Sequence, residues 1–268
     1  MKSVRLILLT GWVFLMVASG RAESADPVTL RVLCYNIHYG QGMDGQYDIA
    51  RLADVIRKTQ PDLVALQEVD VGVRRSGRVH QAARLGELTG MSVWYGPTQH
   101  YEGGLFGNAV LSRLPVDDVL ITPLPYTEAT AELKTYPRGA IAVTIRSPDI
   151  PQLRFISTHF QHNLEEDRIA EAKEINQLFG DSQLPCILAG DMNSVPGSQP
   201  VQILNEKWTN AIGKQAEPTA PSVNPSSRID YVFYRGDGLR MIQSEVINES
   251  MASDHRPVLV ILEIAGTP

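Results

Sequence analysis

Cysteine is scarce in this 268-residue sequence: Cys34 and Cys186 are the only two, and neither belongs to a CxxC pair or a Cys/His cluster. That argues against a structural zinc site built on thiolates. Each lies in a segment that reads as a buried strand, where a small core side chain is the ordinary occupant. A disulfide stays open because export is expected. A basic excess is missing too, since 24 Lys and Arg stand against 30 Asp and Glu for a net charge of −6. An acidic chain lacks the broad cationic footprint that long nucleic acids require, although a phosphate-handling pocket with its own cation is compatible with it. There is no internal repeat, heptad or low-complexity tract, no linker that would separate a pair of domains, and no GxSxG nucleophile elbow. Beyond the first 22 residues no segment has the ~20 apolar residues that a membrane span needs.

The first segment, "MKSVRLILLTGWVFLMVASGRA", carries Lys2 and Arg5, an apolar stretch from Leu6 to Ala18, and small residues at Gly20 and Ala22. It reads as a secretory signal peptide over residues 1–22, which places the protein in the periplasm or outside the cell. An uncleaved anchor is the competing reading, and its apolar core is too short for one. Removing Lys2, Arg5 and Arg21 takes the charge from −6 to about −9. Residues 26–265 are then expected to form one domain, taken as a monomer.

Within it the periodicity predicts strands at 30–37, 63–66, 92–95, 108–112, 139–146, 153–160, 187–190, 229–234, 240–247 and 257–264. Helices are predicted from Asp48, with an apolar face of Ile49, Leu52, Ala53 and Ile56, and over 79–88, 163–179 and 199–205, with Gly90 and Gly180 as stops. Stretches 96–107, 115–137 and 213–227 read as irregular loops. Several strands are apolar almost throughout, so sheets covered on both faces are expected, in a mixed α/β unit.

Polar residues stand at strand ends where burial alone would not select them: Asn36 in "LCYNIHYG", Glu68 in "LVALQEVD", His159 in "ISTHFQH", Asp191 and Asn193 in "ILAGDMN", and Asp230 in "RIDYVF". Asp254 and His255 in "SDHRPVLVIL" precede a strand. Singly, each is an ordinary turn former or a hydrogen-bonded structural residue. Strands of one sheet deliver their ends to a common rim, however, and carboxylates gathered there repel unless cations neutralise them. Oxygen ligands without thiolates suit a hard ion, Mg²⁺ or Mn²⁺.

The ordered set "YNIHYG", "LVALQEVD", "GNAVLSR", "STHFQH", "LAGDMNSVPGS", "RIDYVF" and "SDHRPV", spread from residue 30 to 262, resembles the endonuclease/exonuclease/phosphatase superfamily. The spellings are most similar to an exported bacterial hydrolase branch. The resemblance implies an α/β four-layer sandwich of the deoxyribonuclease I type, two packed mixed sheets flanked by helices, with a divalent-metal phosphoesterase site at one end. It makes Glu68 the principal metal carboxylate, Asn36 an oxygen ligand or orienting group beside it, and Asp254 a further metal-site or His-orienting carboxylate. Asp191 aligns or deprotonates the attacking water and Asn193 holds that water or a phosphate oxygen. His255, polarised by Asp230, meets the phosphoryl oxygen, and His159 is a general acid or electrophile. In-line attack by water on a phosphodiester of a small molecule, lipid head group or sugar is the implied reaction, with a non-specific nuclease as the alternative. His38, Arg75, Asn108 and Arg138 are weaker candidates for lining the substrate pocket.

One decoy comes from another class. "YGQGMDG" spells GxGxxG with Gly40, Gly42 and Gly45 between a strand and a helix, the fingerprint of a dinucleotide-binding oxidoreductase. Against it, the helix is predicted to begin at Asp48, beyond the third glycine, and Asn36 and His38 break the apolar strand.

Overall fold

The computed structural model describes residues 26–211 and 217–267; the signal peptide expected over residues 1–22 lies outside the described residues. In chain order the elements are β1 (Val28–Asn36), a single 3-10 turn (His38–Gly40), α1 (Ile49–Thr59), β2 (Leu63–Val71), α2 (Gln81–Thr89), β3 (Ser92–Tyr101), β4 (Gly104–Ser112), β5 (Val116–Pro123), β6 (Gly139–Ser147), β7 (Ile150–His159), α3 (Glu165–Phe179), β8 (Cys186–Asp191), α4 (Gln199–Asn205), β9 (Thr209–Asn210), β10 (Asp230–Arg235), β11 (Leu239–Val246) and β12 (Val258–Ile264). They make two six-stranded sheets, in the orders β11-β12-β1-β2-β4-β3 and β5-β6-β7-β8-β10-β9. The β1–β2 and β7–β8 pairs are parallel and the remaining pairs antiparallel. Among the described residues no helix is long and apolar enough to cross a membrane.

Alternation within β1 shows why its sequence is apolar on both faces. Val32 and Cys34 point between the sheets, against Val143, Phe155, Ile187 and Val232, whereas Leu33 and Tyr35 point outward under α1 and α2. The second sheet repeats this with Ile156, Leu188 and Phe233 beneath α3 and α4. Each fully buried aliphatic or aromatic side chain contributes roughly 1.5–3 kcal/mol of transfer free energy, so three stacked apolar layers hold the four-layer sandwich together. Cys34 belongs to the layer between the sheets and Cys186 to a helix-facing layer, and both are free thiols. The two cysteines are therefore the small core residues that the sequence favoured, and the disulfide it left open does not form.

Two stretches read as irregular are strands. The first, 96–107, continues β3 and β4 into a hairpin whose tip, Glu102 and Gly103, has φ of 43° and 80°, the left-handed pair of a two-residue hairpin turn. Glu-Gly is a weaker turn signal than Asn-Gly, and Pro97 sits at a register shift, which together hid the strands. The second holds β5, an edge strand in 115–137 whose Val119, Leu120 and Ile121 are all exposed. With both faces and one edge largely in water it shows neither alternation nor burial, leaving no pattern to read.

The glycine decoy resolves in the same way. Asp48 caps α1, its carboxylate accepting from the Arg51 N–H at 3.0 Å, and Gly42 and Gly45 close a turn on each other upstream of it. The N-terminus that would receive a pyrophosphate already holds a carboxylate.

Topology explains why distant motifs meet. Parallel β1 and β2, and parallel β7 and β8, end at one rim, where Asn36, His159 and Asp191 are last residues of their strands. β10 runs antiparallel to β8, so its first residue, Asp230, pairs with the last residue of β8, Asp191. β12 is antiparallel to β1, which brings the preceding "SDH" to the same end, where the Ser253 hydroxyl donates to the Asn36 carbonyl at 2.7 Å.

Candidate active site

Gly190 allows Asp191 its place. A Cβ there would stand 2.2 Å from the Thr158 carbonyl oxygen, so only glycine lets β8 run this close to β7 just before the carboxylate. Asp191 is 1% exposed. Its Oδ1 accepts from the Asn193 N–H at 2.8 Å and its Oδ2 from Asn36 Nδ2 at 3.1 Å. The same Oδ2 is 3.4 Å from His159 Nε2 and 3.8 Å from His255 Nε2. Burial, then the neighbouring Asp230 charge, pushes the Asp191 carboxyl up to about 7.

Glu68 reaches the site through a distortion. β2 does not end at Glu68; its pairing with β4 slips between Leu66 and Val69, and Glu68 has φ of 59°. The bulge turns a half-buried carboxylate out of the sheet toward Asn36, whose Nδ2 donates to Oε1 at 3.3 Å. The Asn36 amide nitrogen orients Glu68 and Asp191, while its Oδ1 accepts from the His38 N–H at 3.0 Å and keeps a second lone pair.

The two imidazoles differ. His255 Nδ1 lies 2.9 Å from Asp230 Oδ2. Burial by itself lowers the His255 imidazole, but the Asp230 and Asp191 carboxylates outweigh it and hold the ring well above its ordinary value, as a cation. His159 Nδ1 faces the Arg138 Nη1 at 3.1 Å, and burial, then the Arg138 charge, keeps that ring neutral.

Other expected residues fall elsewhere. Asp254 faces His38 Nε2 at 3.7 Å and does not enter the Asp191 cluster; neither residue lines the cleft. Asn108 is corrected from pocket lining to a brace between sheets: it is buried, and its Nδ2 donates to the Gly139 carbonyl at 2.9 Å. Arg138 does border the cleft, although it is only 5% exposed. Arg75 also lines it, bound through Nε and Nη2 to the buried Asp70 at 2.9 Å each, with its guanidinium over the Tyr39 ring at 3.6 Å and the Tyr101 ring at 4.5 Å. The cleft, about 270 Å³, is completed by Gln99, Phe106, Tyr136 and His162, which the sequence reading did not single out. A hidden hairpin carries Gln99, Tyr101 and Phe106, whereas His162 stood in view within "STHFQH".

Among the described residues Asp191, Asp230 and His255 form a cluster whose ligand atoms lie within 4.8 Å of one another. The carboxylates around His255 favour its charged form, and in that form the cluster is a carboxylate–imidazolium network. Glu68, half-buried and with a single protein donor, fits a hard cation better, since its remaining lone pairs face the cleft.

Behind the site Glu171 of α3 is fully buried. Its Oε2 accepts from the Gln161 N–H at 2.9 Å, and burial pushes its carboxyl up to about 8. Between about pH 4.5 and 8 the folded chain keeps a proton that the unfolded chain has lost, so stability is full below that window and falls as pH rises through it. At roughly 1.4 kcal/mol for each pH unit of that window the loss amounts to a few kcal/mol. Glu171→Gln, which keeps the acceptor, is expected to flatten the decline. Urea midpoints at pH 5, 7 and 9 check this: wild type should weaken toward pH 9 more steeply than the variant, most clearly between pH 7 and 9, above the range in which the raised Asp191 carboxyl adds its own decline.

The sequence profile of the Endonuclease/Exonuclease/phosphatase family matches residues 33–255, the span that carries every residue of the cluster. A curated relative, the uncharacterized protein YbhP of Escherichia coli strain K12, is 27% identical over 231 residues, 80% of this chain and 87% of that protein. Among solved structures, the endonuclease/exonuclease/phosphatase from Beutenbergia cavernae DSM 12333 is 26% identical with a TM-score of 0.69, over 88% of this chain and 72% of its own. The mannosyl-6-phosphatase Bt3783 of Bacteroides thetaiotaomicron VPI-5482 superposes with a TM-score of 0.69 at 20% identity, over 87% of this chain and 99% of its own. Profile, fold and clustered residues coincide along the chain, which belongs to the endonuclease/exonuclease/phosphatase family.

Proposed function

We propose that the chain is an exported, divalent-metal-dependent phosphoesterase that hydrolyses a small, polar phosphodiester by in-line attack of water. The observation that carries this reading is the Asp191 carboxylate, which meets Asn36, His159 and His255 at one cleft while Glu68 borders the same space. Glu68, oriented by Asn36, would hold Mg²⁺ or Mn²⁺, which when bound would polarise the phosphoryl group. Asp191 takes the proton of the attacking water, whose oxygen forms the new bond to phosphorus as the bond to the alcohol breaks. Asn193 steadies the nucleophile, and the charged His255 faces the oxygens on which negative charge builds.

The cleft volume of about 270 Å³ suits a head group or a sugar, and a net charge of −6 disfavours a long nucleic acid. Its wall combines ring faces with the Arg75 guanidinium and the Gln99 amide, a set suited to a polyhydroxylated alcohol. A phosphomonoester of such an alcohol is the second reading, favoured by the fold shared with a protein named as a mannosyl-6-phosphatase.

The test is a panel of bis(p-nitrophenyl) phosphate, p-nitrophenyl phosphate, sugar 6-phosphates, glycerophospho-polyols, sphingomyelin and plasmid DNA, assayed with Mg²⁺ or Mn²⁺. Small esters should turn over and plasmid should not, and excess EDTA should abolish turnover until metal is restored. Undiminished hydrolysis in chelator overturns the metal assignment, and inertness toward every ester overturns the function.

A further inference from the structure

The imidazoles beside Asp191 are backed by opposite charges. His255 Nδ1 meets a carboxylate oxygen of Asp230 at 2.9 Å, whereas His159 Nδ1 meets the guanidinium Nη1 of Arg138 at 3.1 Å. A carboxylate behind a ring accepts a proton from it and favours the cation. A guanidinium has only N–H groups and accepts nothing, so the nitrogen it faces has to present a lone pair. His159 therefore carries its single proton on Nε2, the nitrogen turned toward Asp191 and the cleft. Asn193 Nδ2, which donates to the Phe160 carbonyl at 2.9 Å, also lies 3.0 Å from that Nε2, so both ring nitrogens face a donor; the charged guanidinium has the stronger claim on the ring's single lone pair, and the Nε2 proton is left to the side of Asp191 Oδ2 at 3.4 Å.

From this geometry we infer that Arg138 is a positioning residue, which locks His159 as a neutral Nε2–H donor aimed at a substrate oxygen. Arg138 is itself held: its carbonyl accepts from the Leu124 N–H at 2.9 Å, and the next carbonyl, Gly139, accepts from Asn108 Nδ2 at 2.9 Å and the Thr158 hydroxyl at 3.2 Å. This gives the two rings separate work. His255 supplies a positive charge, and His159 supplies a directed hydrogen bond without adding a second charge next to Arg138. The catalytic consequence rests on the phosphoesterase reading, whereas the tautomer does not.

Nitrogen-15 NMR of histidine-labelled protein, with the His159 signals assigned through His159→Gln, decides it. The expected wild-type result is a protonated Nε2 and an unprotonated Nδ1 on His159. In Arg138→Gln this preference should be lost, and kcat should fall about 100-fold with KM changed less than about threefold, as for a displaced proton donor. Arg138→Lys, which also offers only donors, should restore the tautomer and at least about tenfold of the rate. Should Arg138→Gln fail to fold, the wild-type spectrum and the Lys variant still decide. A wild-type His159 protonated on Nδ1 overturns the inference and leaves the phosphoesterase reading standing. The expected tautomer in a protein inert toward all phosphate esters overturns that reading instead.

Discussion

Asp191→Asn is expected to lower kcat/KM on small phosphate esters by about 10³-fold while the protein stays folded, the size of effect that follows loss of a positioned base. Asparagine keeps the shape and one acceptor, so either the Asn193 N–H or Asn36 Nδ2 can still be satisfied, but not both. The donor left over costs about 1–3 kcal/mol. Against that cost, the variant no longer buries a carboxylate next to Asp230, whose charge, after burial, raises the Asp191 carboxyl to about 7. The two effects oppose each other, and the net change in stability is small beside the loss of rate. Wild-type activity should rise with pH through about 7 as the base ionises, and the residual activity of the variant should lack that limb. Steady-state rates from about pH 5 to 9, with thermal unfolding followed by circular dichroism, check both halves. A folded variant within tenfold of wild type would mean that another group activates the water.

The layered architecture was legible because its signals are local and repeated. Apolar runs such as Ile187 to Ala189 between Pro185 and Gly190 mark buried strands, and Asp48 before Ile49 marks a capped helix that the structure places within a residue. The convergence of Asn36, Glu68, His159, Asp191, Asp230 and His255 followed from their places at strand ends, although Glu68 acts from inside β2 through a bulge that no periodicity announces. What escaped the sequence was pairwise geometry. Asn108 looked like a site residue and spends its amide on Gly139; Arg138, a pocket candidate, does border the cleft, but its burial against His159 had no sequence signal. The first depends on how β4 and β6, from different sheets, stack, and the second on the register of β6 with β7; neither contact leaves a trace in residue spacing. Gln99 and Tyr101 were missed for a related reason, since the hairpin presenting them has a weak turn signal and lies at a sheet edge.

Asp230→Asn should move the whole pH–rate profile toward acid, because Asp230 acts on both members of the cluster in the same direction. Its negative charge helps raise the carboxyl of Asp191, the group that must lose a proton before it can serve as base. The same charge, with the 2.9 Å contact to Nδ1, holds a proton on His255, the group that must keep one. Asparagine can still accept from Nδ1 but carries no charge, so Asp191 ionises at lower pH and His255 is lost as a cation at lower pH. The two limbs belong to a coupled cluster and are expected to move together by at least about one pH unit, the effect of a buried charge at hydrogen-bond distance. At a pH where the wild-type His255 keeps its proton and the variant's has lost it, the variant should lose about 10²–10³-fold in kcat/KM, the measured scale for removing one electrostatic stabiliser of a developing anion. His255→Gln should lose as much at every pH, and the double variant should be little worse than His255→Gln alone, because both substitutions remove one imidazolium. Profiles of the three variants on bis(p-nitrophenyl) phosphate test this. An acid limb that stays in place or moves toward alkali in Asp230→Asn would show that Asp191 does not titrate under the influence of Asp230, and the base would have to be sought elsewhere in the cleft.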